Sequence, residues 1–197
     1  RPSDVLGAMF AGELSRDFSW LRVRGSFLYQ SADRNPFDDR SSGFDAILEN
    51  PLFAGADTSY WIRQQVPLIG GGRVGISGRN GVLNPLRSSK DQGQSNFTNP
   101  GEWLVGVGMD CDVTPAVRVS TNLNELWFVD TSSVEAARAQ AGVANHIGHD
   151  LSVALTWRPV AIQNIVVRLS AAVLFPGAGY QHLFGEQVSY SVLGNVV

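Results

Sequence analysis

The sequence predicts an all-β protein: an antiparallel up-and-down transmembrane β-barrel, of which this chain forms about nine strands. Three observations carry that expectation. The first is alternation. Leu21, Val23, Gly25, Phe27 and Tyr29 interleave with Arg22, Arg24, Ser26, Leu28 and Gln30. Successive side chains of a strand point to opposite faces, so one face is apolar and the other carries two arginines. Ile165, Val167, Leu169, Ala171 and Val173 repeat the pattern against Arg168, Ser170 and Ala172. Such a ribbon suits a wall with lipid on one side and water on the other. The second observation is that short and long connections alternate strictly, as tight periplasmic turns and longer outer loops do in these barrels. The third is that the tryptophans fall near strand ends at two levels, where interfacial girdles sit.

In chain order, the expected strands cover 5–16, 19–31, 58–68, 73–79, 101–112, 116–129, 149–158, 164–175 and 188–197. Valine, isoleucine, leucine, aromatics and alternation support most of them. Glycine weakens 73–79, and Pro67 assigns the strand at 58–68 an end or edge position. Trp61 departs from the pattern, since its parity groups it with Arg63 and Gln65 rather than with Tyr60 and Ile62. Short links lie near 15–19, 69–72, 112–116 and 158–163; long ones lie at 32–57, 80–100, 130–148 and 176–187. In the third long link, Ser132 to Gly142 is rich in helix formers and predicts a short helix, started by Ser132 or Ser133 and ended by Gly142. In the first, Phe37, Phe44, Ile47, Leu48, Leu52 and Phe53 are too apolar for a freely solvated loop, which predicts compact packing. An odd strand count means either that one strand is miscounted or, as a C-terminus without a closing aromatic also suggests, that residues 1–197 are a single segment, the later part of a larger barrel.

Composition narrows the function. The net charge is −3 and no basic stretch carries interleaved aromatics, which argues against nucleic acid as a partner. One cysteine, Cys111, excludes an internal disulfide and a cysteine metal cage. No apolar run is long enough for a transmembrane helix, a test that barrel strands escape. Signatures of hydrolases, phosphate loops and c-type haem attachment are absent, so no enzyme activity and no cofactor are expected.

The motifs GFDAILENPLFAG (Gly43–Gly55), SNFTNPG (Ser95–Gly101), DVTPAVR (Asp112–Arg118), GHDLSVALTWRP (Gly148–Pro159) and LFPGAGY (Leu174–Tyr180) are spread over most of the chain. In order and spacing they resemble outer-membrane porins with an alginate-export-type barrel domain, together with the uncharacterised proteins related to them. The resemblance implies a monomeric barrel in the outer membrane of a Gram-negative bacterium, with an arginine-lined conduit for an anionic polymer. The chain is about half the length such a barrel needs, and no individual substrate-contacting residue of the family maps onto it.

By parity, Arg22, Arg24, Arg63, Arg118 and Arg168 all fall on the polar face and are the expected solute-binding residues. Guanidinium groups stay charged and grip carboxylates through paired hydrogen bonds, so a ladder of them would draw an anionic polysaccharide or small anions along the lumen. The competing expectation is internal pairing with Asp110, Asp112 or Glu13. Asp33, Asp38, Asp39 and Asp45 concentrate oxygen ligands that suit calcium but lack EF-hand spacing; an ordinary acidic surface loop is the simpler reading. His146 and His149 form an H-x-x-H pair beside Asp150. That spacing holds a metal on a helix, but Gly148 and the strand after it point to a loop-to-strand junction, so no metal is expected there. Three functions remain in view. They are an outer-membrane channel for an anionic solute, a structural barrel or sheath around other outer-membrane or periplasmic proteins (such as a multihaem conduit), and a soluble carbohydrate-binding β-sandwich.

Overall fold

A computed structural model describes residues 4–44, 54–55, 59–60, 66–67, 73–74, 100–159 and 165–196. The alternating segments form one antiparallel sheet of seven strands. They are β1 (Met9–Phe18), β2 (Leu21–Gln30), β3 (Glu102–Thr114), β4 (Val117–Phe128), β5 (His146–Trp157), β6 (Val167–Pro176) and β7 (Ser189–Val196). Each pairs with its neighbours in that order, giving an up-and-down meander. The sheet is open. Among the described residues no strand joins β1 to β7.

This corrects the expected strand count. β2 pairs directly with β3, from Leu21 opposite Cys111 to Gln30 opposite Glu102. The pairing continues the apolar rows, with Phe27 beside Val105 and Val23 beside Met109, which is what fixes register when the two faces differ in polarity. Most residues of the segments expected at 58–68 and 73–79 lie outside the described ones. Their described strand residues, Val66–Pro67 and Arg73–Val74, pair only with each other, and Ser59 and Tyr60 lie outside any strand. Proline, which has no N–H to donate, and a glycine-rich partner are poor material for the interior of a sheet.

At one end of the sheet the strands are joined by short turns. Ser19 adopts φ +64° between β1 and β2, and Pro115–Ala116 link β3 to β4. The other end carries the long connections. Helix α1 (Ser132–Arg138) is the expected one, but Thr131 rather than a serine precedes it, and Ala139 in a left-handed conformation ends it before Gly142. A second helix, α2 (Ala178–Phe184), was not foreseen in the connection before β7. The helices dock on each other: Arg138 donates to the Leu183 carbonyl and its guanidinium lies 5.0 Å from the Phe184 ring. Beneath them is the buried core, with Leu28, Leu104, Leu126, Ile147, Leu174 and Val134 almost wholly enclosed. The connection after β2 folds back, its Ser31 and Phe44 backbones bonded to Ala8 and to each other. Phe37 is exposed, contrary to the packed loop expected, while Phe44 rests against the core; Ile47, Leu48, Leu52 and Phe53 lie outside the described residues.

The two faces of the sheet differ as alternation requires. One side is apolar and uncovered: Val107 is 60% exposed, Leu169 52% and Val192 77%. An aromatic chain crosses it near the loop end, with ring centroids of Phe10–Phe27, Phe27–Trp103 and Tyr29–Trp103 5.9, 5.3 and 4.7 Å apart, and Trp103 opposite Trp127. Phe18, Trp20 and Trp157 mark the turn end and are also exposed. From Trp103 to Cys111 the strand rises about 27 Å at ~3.4 Å per residue. Trp61 lies outside the described residues.

Candidate functional site

The polar face, called here the inner face, carries the arginines, and the structure brings three of them together near the turn end. Gly106 and Gly108 occupy inner positions of β3, where side chains would collide with Asn124, Asn122 and Arg24. These glycines make room for the polar groups across β2 and β4. Arg24 donates to Asn122 Oδ1 at 3.0 Å and reaches Asp110 Oδ1 at 3.2 Å, with both charged groups largely buried. Its Nε is buried without a hydrogen-bond partner among the described residues.

Arg22 grips Asp17 through two bonds of 2.5 and 3.1 Å across the β1–β2 hairpin. Arg118 grips Asp112 in the same way at 2.6 and 2.9 Å across the β3–β4 hairpin. Both pairs are about half exposed. Asp17, Arg22, Asp110, Asp112 and Arg118, with Ser19 and Leu21, line an open depression of about 230 Å³. Three guanidinium groups therefore face three carboxylates.

The expected binding residues divide accordingly. Arg22, Arg24 and Arg118 belong to this cluster. Arg168 shares the face, opposite Thr156 on β5 and Asn195 on β7, and is partly buried. Arg63 lies outside the described residues. Internal pairing, the competing expectation, describes Arg24 and Arg118, whose partners Asp110 and Asp112 were foreseen. Asp17 was missed, although its place five residues before Arg22 across a tight hairpin is a readable signal. Glu13 takes a different role: its Oε2 accepts from Ser26 Oγ at 3.0 Å and from the Ala54 N–H at 3.3 Å.

Towards the loop end the same face is covered by the chain itself. Asn124 donates to the Ala54 carbonyl at 3.0 Å, and Gly55 lies against Asn122. Asp150, fully buried, accepts from Ser59 Oγ and from the Tyr60 N–H, the latter at 3.1 Å. A polar anchor from Ala54, Gly55, Ser59 and Tyr60 thus lies on β4 and β5. The acidic loop has a local role in its described part. Asp33 accepts from the Asn35 N–H at 3.2 Å and Asp38 from the Arg40 N–H at 2.8 Å, each closing a turn with its own backbone. Asp45 lies outside the described residues.

His146 opens β5 directly after the loop, the loop-to-strand junction expected, and His149 follows within the strand. Both belong to β5 and project from the apolar outer face, where they meet Glu125 of β4. No family model matches this chain, and neither curated proteins nor solved structures contain a match to it.

Proposed function

We propose that the chain builds part of the wall of an outer-membrane β-barrel channel that passes an anionic solute. The observation that carries this reading is the uncovered apolar face, continuous across seven strands and bordered by aromatics at both ends. Water-soluble domains bury such a face against a second layer, and no second sheet packs on it among the described residues. In a bilayer it meets hydrocarbon, while the opposite face stays wet. Bare strand edges are costly in lipid, so β1 and β7 require further strands beside them. The inner arginines give the conduit its affinity for anions. Their aspartate partners moderate it, so the solute passes between weak sites rather than being held. An anionic polysaccharide remains the favoured solute on the motif resemblance to alginate-export-type porins.

The experiment is reconstitution of the purified chain into planar bilayers. The expected result is recovery only with detergent, followed by ion conductance with anion preference. A chain that stays monomeric in water without detergent would overturn the membrane reading and favour the carbohydrate-binding sandwich.

One observation favours a structural barrel or sheath as the second reading. Near the loop end the chain's own Ala54, Gly55, Ser59 and Tyr60 lie on the inner face, and its described arginine clusters are paired internally. A detergent-dependent chain that conducts nothing and copurifies with a periplasmic or haem-bearing partner would decide for the sheath.

A further inference from the structure

We propose that Glu125, His146 and His149 form a binding site for a borderline divalent transition-metal ion of the zinc class, on the outer face at the loop end. Residues three apart in a regular strand point to opposite faces. His146 and His149 do not, because the β4–β5 register slips between Leu126 and Trp127: Leu126 pairs with Gly148, but Trp127 pairs with His146. Ile147 is the extra residue of this bulge and turns into the core, fully buried. Bulges re-aim side chains in this way.

Gly148 makes the bulge possible. Its φ is +142°, and a side chain there would collide with the Phe175 carbonyl. The result is that both imidazoles converge on one carboxylate. His146 Nε2 lies 2.5 Å from Glu125 Oε1, and His149 Nδ1 contacts Oε2. One ligand atom from each residue falls within 4.8 Å of the others. The rings are 5.3 Å apart and nearly perpendicular.

Two imidazole nitrogens and a carboxylate oxygen are a donor set suited to zinc, copper or nickel rather than to calcium or magnesium. Three protein ligands leave a coordination position open to water or an anion. The surroundings supply a reason for a cation. Glu125 sits in the row Phe27–Val105–Glu125–His149–Phe175, apolar apart from this pair and one step inside the Trp103–Trp127 pair. A carboxylate in that setting needs a compensating charge, and a bound dication provides it. A bound ion would take the place of the hydrogen bonds between carboxylate and imidazoles, each neutral ring ligating through the nitrogen that faces Glu125 and carrying its N–H on the other nitrogen. The site does not depend on what the barrel carries.

The test uses the full chain in detergent micelles, with Zn²⁺ alone as the probe. Calorimetric titration should show one tight equivalent, and His149→Ala and Glu125→Gln should each weaken it at least tenfold. Co²⁺ should give the absorption of a four-coordinate site in the wild-type chain and not in those variants. A readout without mutation is chemical modification of the three histidines. Zn²⁺ should protect His146 and His149 while His182, exposed at the end of α2, stays reactive. Equal affinity in wild type and both variants, or equal modification of all three rings with and without Zn²⁺, would overturn the proposal.

Discussion

The turn end and the loop end of the inner face are built from the same strands with the same parity, yet they are different surfaces. At the turn end, Arg22, Arg118 and their aspartates stand in an open depression and hold one another through exposed bonds. At the loop end, Glu13, Asn124 and Asp150 bind backbone and side-chain groups of Ala54, Ser59 and Tyr60, and an apolar cluster closes beneath the helices. Alternation decides which way a side chain points; what covers the face decides what that side chain does. A buried carboxylate costs stability unless its oxygens are satisfied, whereas an exposed ion pair contributes little stability and leaves its charge available to solutes.

The largest expected effect comes from breaking the loop-end anchor. Asp150→Ala leaves the Ser59 hydroxyl and the Tyr60 N–H without their acceptor in a buried setting. The loss of two bonds to a carboxylate is expected to cost about 3 kcal/mol in denaturant unfolding. If the segment that Ser59 and Tyr60 anchor also obstructs the proposed lumen, the same variant conducts more strongly per channel. Lower stability with unchanged conductance would place the conducting path away from that segment.

The turn end should behave in the opposite sense, with little change in stability and a large change in selectivity. Asp17→Asn combined with Asp112→Asn frees Arg22 and Arg118 from their carboxylates and should move the reversal potential towards anions by a few-fold in permeability ratio. Arg22→Gln with Arg118→Gln should move it towards cations. If neither double variant alters the reversal potential, this face does not line the conduit and the sheath becomes the better reading.

The same contrast explains what could be read in advance. Parity is local, so the faces of Val23, Leu169, Arg22 and Arg168 were legible from alternation alone. The Arg118–Asp112 pair was within reach, since one tight hairpin connects its members. The Arg24 partnership was not fixed by any local pattern, because Asp110 and Asn122 meet it only once β2 has skipped the intervening segments to pair with β3. The nine-strand reading placed two strands between β2 and β3, whereas the described Val66–Pro67 and Arg73–Val74 pair with each other and β2 meets β3 directly. The site on the outer face depends on a single inserted residue in β5. A period-two reading cannot carry a bulge, because it assumes that the period never slips.

The smallest expected effect tests burial outside the strands. Asp33, just beyond β2 at the loop end, is 2% exposed, and its Oδ2 has no hydrogen-bond partner among the described residues. Burial pushes its carboxyl above the ordinary carboxylate range; the Asn35 N–H opposes this, and the charges of Asp38 and Asp130 add to it. The native state therefore holds this proton more tightly than the unfolded chain does. The sign follows from linkage: Asp33 costs no stability below the unfolded carboxylate pKa of about 4, costs progressively more as pH rises to its raised native value, and a constant amount above that. Asp33→Asn keeps an acceptor for the Asn35 N–H and removes the charge. It should raise stability by about 1 kcal/mol at neutral pH and change nothing near pH 3. Urea midpoints of both proteins across that range are the measurement, and a difference that stays constant with pH would show that burying the Asp33 charge is not what costs the loop end stability.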